Sequence, residues 1–116
     1  MPPVVHPAGD RGGPTRSHAF IPATAEGWQT VALTEWELIG EEWVDEHPFD
    51  EITYVLAGTL YVTCDDVTVE VTAGSVVRVP AGSTGTYSAP DRARMLAIYG
   101  PNPDGRPTRI GGLRKL

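Results

Sequence analysis

The chain has 116 residues, a single cysteine, and 15 acidic against 9 basic side chains, for a net charge of −6 at neutral pH. That length holds one domain, and the acid excess argues against nucleic acid as a partner. Cys64 has nothing to pair with inside the chain, and no run approaches the ~20 apolar residues of a membrane-spanning helix.

Residues 1–19 are rich in proline and glycine, have no apolar period, and read as an N-terminal arm. The start, Met1 to Pro7, lacks the basic and apolar blocks of a secretion signal, so the expected setting is cytoplasmic. An arm with so little to bury needs a surface to lie on. The expected surface is a second copy of the chain, in a homodimer whose arms pair along exposed sheet edges.

Residues 20–100 alternate β-type runs with turn residues. Strands are predicted at Thr30–Leu38, Glu51–Leu56, Leu60–Cys64, Val67–Val71, Ser75–Val79, Thr84–Ser88 and Arg94–Tyr99. Ala57-Gly58, Asp65-Asp66, Ala73-Gly74, Pro80-Ala81-Gly82 and Ala89-Pro90-Asp91 mark the turns between them. No stretch carries helical period. Strands this short at this spacing make an all-β sandwich or barrel. Residues 101–116 carry Arg106, Arg109, Arg114 and Lys115 and read as a basic C-terminal tail.

The acids are not evenly spread. Glu35, Glu37, Glu41, Glu42, Asp45, Glu46, Asp50 and Glu51 fall in one segment that contains no lysine or arginine. The plain reading is a solvated acidic face. The sharper one is a barrel mouth biased towards a cation or amine.

The segment from Asp45 to Gly58 concentrates the chemistry. Asp45 and His47 are two apart and share a strand face. Pro48 and Asp50 favour a turn, and Glu51 opens the next strand. Asp45, His47 and Glu51 together offer two carboxylates and one imidazole, a donor set suited to zinc, iron or manganese. His47 and Glu51 are equally an acid and a base for proton transfer. Tyr87 is the third catalytic candidate, because a phenol can donate to a ligand. Trp43, Thr53 and Tyr87 are expected to line the pocket, with Phe49 beside them and Trp36 less well placed. Arg78 is expected at the surface and Cys64 in inert packing.

His47-x3-Glu51-x6-Gly58 resembles the first motif of the cupin superfamily, G-x5-H-x-H-x3,4-E-x6-G. Gly74-x5-Pro80-x-Gly82 resembles the start of the second motif, G-x5-P-x-G-x2-H-x3-N. The resemblance covers roughly residues 30 to 100 and implies a double-stranded β-helix, the cupin jelly-roll barrel. Asp45 stands where the first motif has a histidine, Gly85 where the second has its histidine, and Ala89 where it has an asparagine. Tyr87 has the facing of the absent histidine and is the candidate compensation. Within cupins, Asp50-Glu51-Ile52-x-Tyr54-Val55-Leu56-x-Gly58 and Pro80-Ala81-Gly82-Ser83-Thr84 resemble the ethanolamine-utilisation EutQ type, which also lacks the second-motif histidine.

The expectation is a small cupin whose interior pocket binds a small polar molecule, with His47 and Glu51 as the pair for proton transfer or isomerisation. Any metal is expected at low occupancy, because Gly85 supplies no donor. A histidine restored at position 85 is expected to raise metal affinity. The alternatives are a non-catalytic ligand sensor and an accessory protein of ethanolamine or acetate metabolism of the EutQ type. Against acetate-kinase-type activity, the chain has no G-x4-G-K-[ST] phosphate loop and one lysine.

Overall fold

The computed structural model describes residues 1–116 and contains strands and no helix. No helix is therefore long and apolar enough to cross a membrane. The strands are β1 (His18–Ile21), β2 (Ala32–Glu46), β3 (Glu51–Cys64), β4 (Val67–Thr72), β5 (Val76–Val79), β6 (Thr84–Tyr99) and β7 (Arg109–Lys115).

Three long strands make the architecture. β6 lies between β2 and β3 along its whole length, antiparallel to both. The first half of β3 takes β5 as its other neighbour, and the second half takes β4. The first half of β2 likewise takes β1, and the second half takes β7. One hydrogen-bonded sheet thus folds into two facing leaves that share β2, β3 and β6. This is the jelly-roll expected from the sequence.

The predicted turns inside β3 and β6 are bends, not ends. β3 changes register between Val55 and Ala57 and again between Gly58 and Tyr61. Gly58 has φ +77°, and a β-carbon there would collide with the carbonyl of Arg92 on β6. β6 runs through Ala89-Pro90-Asp91, opposite a register shift in β2 between Ile39 and Glu41. Pro90, which has no N–H, is exposed where the ladder is already interrupted. β2 likewise continues past Leu38 through the acidic segment to Glu46.

Side chains between the leaves form the core, among them Leu38, Val55, Leu60, Val62, Tyr87 and Met95, all essentially buried. Trp36 of one leaf meets Tyr87 of the other edge to face, ring centres 5.4 Å apart.

The acidic segment is not a solvated face. Glu35, Glu37 and Glu41 are buried, each beneath arginines from other elements. Arg94 and Arg11 pair with Glu35, Arg92 and Arg11 with Glu37, and Arg16 with Glu41. The sequence reading missed this because the partners come from the arm and from β6. Burial pushes the Glu41 carboxyl up, but hydrogen bonds from the Ile39 N–H and Arg16 outweigh it and leave the pKa below the usual value.

The arm and tail both lie on the chain's own barrel. Gly12 bridges Ser17, β1 pairs with Leu33–Glu35 of β2, and the Glu37 N–H donates to the Thr15 carbonyl. β7 pairs with Glu41–Glu46 of β2. The β2 edge is therefore covered from within the chain, a competing placement for the arm expected on a partner. Arg78 is exposed and pairs with Asp50, and Cys64 packs half-buried against the core.

Candidate functional site

His47 stands just after β2 and just before β3, where the two leaves meet. Its carbonyl accepts the Gly82 N–H at 2.8 Å, and the Asp50 carboxylate accepts the Ala81 N–H at 2.8 Å. The Pro80-Ala81-Gly82 turn thereby fastens the His47–Asp50 turn. Two sequence motifs some thirty residues apart are one structural unit.

The imidazole is engaged on every side. Nε2 lies 2.8 Å from Glu51 Oε1 and 3.2 Å from Asp45 Oδ2, and Nδ1 lies 2.7 Å from Thr108 Oγ1. The ring stacks on Phe49 at 4.6 Å and on Tyr99 at 5.7 Å. Burial alone would lower its pKa. The hydrogen bonds and negative charges of Asp45 and Glu51 outweigh that and raise it to about 9. At neutral pH His47 is an imidazolium, which donates from both nitrogens.

Both carboxylates are buried and held by neutral donors as well. The Trp43 indole N–H donates to Asp45 Oδ2 at 2.8 Å, and the Thr53 hydroxyl donates to Glu51 Oε2 at 2.8 Å. These bonds fix rotamers and supply part of the solvation that water no longer gives. With His47 charged, the cluster carries a net charge of −1.

The cluster forms one end of a cavity of about 460 Å³. All three tryptophans of the chain, Trp28, Trp36 and Trp43, line it with Phe49 and Tyr99. Trp36 is thus as much part of the wall as Trp43, against the expectation that it is less well placed. Thr53 and Tyr87 stand one layer back. Neither is on the cavity wall, and each is about 1% exposed. Thr53 acts on the site through Glu51.

Tyr87 is a special case. Its hydroxyl is buried and has no hydrogen-bond partner. Burial first, then the charges of Glu51 and Asp45, raise its pKa far above the usual phenol range. Tyr87 is a neutral donor and cannot serve as a base. Asp45 is register partner to Gly85 across the β2–β6 ladder. Tyr87 thus sits beside the position from which the second-motif histidine would have pointed.

The sequence reading missed the residues that close the cavity. Thr15, Ser17 and Ala23–Ala25 come from the arm and the loop after it, and Gly105–Thr108 come from the tail. Thr108 touches His47 directly. These residues lie in segments without apolar period, so no local signal marks them. The one available clue is their proline and glycine content, unsuited to strands and suited to a fitted rim.

The cupin-domain family profile matches residues 36–99, more than half of the chain. The chain belongs to the cupin family. Within it, this cupin is similar to the EutQ type. It is 38% identical over 53 residues to the acetate kinase EutQ of Clostridioides difficile strain 630, covering 46% of this chain and 34% of that protein. The structure of the Clostridium difficile EutQ protein superposes with TM-score 0.62 at 26% identity, over 76% of this chain and 64% of that one. A putative ethanolamine utilization protein Q from Salmonella typhimurium LT2 superposes with TM-score 0.56 at 28% identity, over 63% of this chain and 59% of that one. The chain thus spans about a third of the curated relative's length and less than two thirds of either structure's.

Proposed function

We propose that this cupin binds a small polar molecule in the barrel cavity, with His47 and Glu51 as acid and base for a proton transfer or isomerisation there. One observation carries the reading: His47 Nε2 is shared by Asp45 and Glu51 at the end of an aromatic-walled cavity of about 460 Å³. An imidazolium and a carboxylate 2.8 Å apart can pass one proton between them with little motion. The net charge of the cluster is the same whichever partner holds it.

Asp45, His47 and Glu51 are also the residues that would hold a divalent zinc, iron or manganese ion. Their donor atoms lie within 4.8 Å of one another. The unpartnered Tyr87 hydroxyl beside them is a polar group with capacity to spare. A bound ion would supply Lewis acidity to a ligand oxygen. With three protein donors and none at Gly85, the expected occupancy is low.

Native mass spectrometry and elemental analysis of protein purified without added metal test both parts. The expected result is a small-molecule adduct in the wild type, lost in His47→Ala, with substoichiometric metal. Full-occupancy metal that survives dialysis would contradict the metal reading. The absence of any ligand-dependent stabilisation across a broad metabolite panel would contradict the pocket reading.

A second reading, an accessory protein of ethanolamine or acetate metabolism, is favoured by the 38% identity to the acetate kinase EutQ. ATP-dependent phosphorylation of acetate by the purified chain would establish it. A non-catalytic sensor predicts the same adduct with no turnover. The proposal includes a homodimer. Ile52, Leu56 and Val76 are exposed on β3 and β5, where a second copy can cover them.

A further inference from the structure

Seven of the eight arginines have a carboxylate partner: Arg11, Arg16, Arg78, Arg92, Arg94, Arg109 and Arg114. The exception is Arg106. In a chain with a six-charge excess of acid, a guanidinium left without an acid is notable for its position. Arg106 lies on the wall of the main cavity. It also borders a second depression of about 540 Å³, together with Arg109, Pro107 and His47. His47, Arg106 and Pro107 are thus common to both.

The loop that carries Arg106 is built rather than loose. The buried Asn102 side chain holds its backbone from both sides: Nδ2 donates to the Arg106 carbonyl at 2.9 Å, and Oδ1 accepts the Arg106 N–H at 3.2 Å. Asn102 in turn exchanges two main-chain hydrogen bonds of 3.0 Å with Trp28, a cavity-wall residue. The two loops approach so closely that a β-carbon at Gly27 would stand 2.4 Å from the Asn102 carbonyl oxygen. One at Gly105 would stand 2.3 Å from that of Ala25. Such a seam holds the Arg106 backbone at the mouth while its side chain keeps its charge uncommitted.

We propose that Arg106 is a specificity-determining residue that receives a carboxylate of the cavity ligand. The inference rests on the binding reading above and names the substrate class: a small organic acid with a hydroxyl or amino group at its other end. Two features favour a carboxylate over a phosphate. Arg106 offers one positive charge in a planar fork, matched by a single carboxylate. The His47 cluster on the wall of the same cavity carries a net charge of −1, which disfavours a dianion and suits a neutral or cationic polar group. The aromatic walls of the cavity suit an apolar body.

The test uses a pair matched in shape, 4-hydroxybenzoate and 4-hydroxybenzamide, with inorganic phosphate as a third probe. Binding to the full chain is read by calorimetry and by thermal shift. The expected result is a preference of roughly tenfold or more for the carboxylate in the wild type. Arg106→Ala should abolish the preference at unchanged melting temperature without ligand, and Arg106→Lys should restore part of it. Equal binding of acid and amide, a preference that survives Arg106→Ala, tighter binding of phosphate, or binding of neither aromatic would each overturn the assignment. His47→Ala separates the two proposals. If it leaves acid binding and the Arg106 preference intact, the role given to the His47 cluster fails while that of Arg106 stands.

Discussion

The ring of Tyr87 lies over Gly85. A β-carbon added at Gly85 would stand 2.9 Å from Tyr87 Cε2 and 3.2 Å from its hydroxyl oxygen. The space that the family motif assigns to a histidine at this position is filled by the side chain two residues on. Gly85 departs from the motif where Tyr87 takes up the space, and this contact governs what can be engineered there.

Gly85→His alone should therefore not raise metal affinity, contrary to what spacing by itself suggests. Tyr87 is buried and packed on Trp36, so it cannot step aside. Overpacking should cost about 1–3 kcal/mol. The double variant Gly85→His, Tyr87→Ala clears the space and should bind zinc or manganese more tightly than the wild type. Metal titration of the three proteins, with denaturant melts alongside, checks both statements.

The His47 cluster gives stability a definite pH dependence. The folded-state pKa is raised to about 9 from an ordinary 6.5, so the folded protein binds this proton more tightly than the unfolded chain does. The contribution is fully present below pH 6.5 and is lost as pH rises through about 9. After discounting for the partial exposure of the ring, the loss should be roughly 2 kcal/mol. Urea melts from pH 6 to 10 in the presence of a chelator should show the decline, and His47→Gln should flatten it.

Thr108 tests whether the tail is part of the site. Its hydroxyl takes the Nδ1–H of His47 at 2.7 Å. Thr108→Val keeps the shape and removes the acceptor. An unpaired buried donor costs about 1–3 kcal/mol. The His47 pKa should fall, because the charged form loses a partner. Proton NMR titration of the imidazole follows the pKa directly, and thermal melts follow the stability.

The arm and the outer face can be separated as sources of self-association. Arg16 is the arginine paired with Glu41, and Thr15 and Ser17 wall the cavity. Deleting residues 1–19 should lower stability by about 2–4 kcal/mol, since it strips a buried carboxylate of its cation. Because β1 pairs with β2 of its own chain, the truncated protein should still have the mass of a pair by light scattering. Val76→Glu, on the exposed face of β5, should instead reduce the mass to that of a single chain with little change in melting temperature.

Much of the fold is legible in local pattern. Period-two runs and turn residues mark the strands, and His47-x3-Glu51-x6-Gly58 with Gly74-x5-Pro80-x-Gly82 mark the barrel. Local pattern also brings Asp45, His47 and Glu51 to notice, because they are near neighbours along the chain. It overstates the turns at Ala57-Gly58 and Ala89-Pro90-Asp91. A bend in a strand that serves two leaves uses the same residues as a turn that ends one.

What the sequence by itself determined, then, is the all-β class, the strands of residues 30–100 in outline and the acid–imidazole centre, since these rest on residues within a few positions of each other. β1 and β7 were not legible in it. Tertiary structure alone decided the rest. Thr108 meets His47 across 61 positions, and Arg92 meets Glu37 across 55. Tyr87 rather than a histidine fills the space over Gly85, and the arm and tail close the cavity. Each depends on where a distant segment comes to lie, which is set by burial and hydrogen bonding over the whole barrel and leaves no period or spacing in the chain to read.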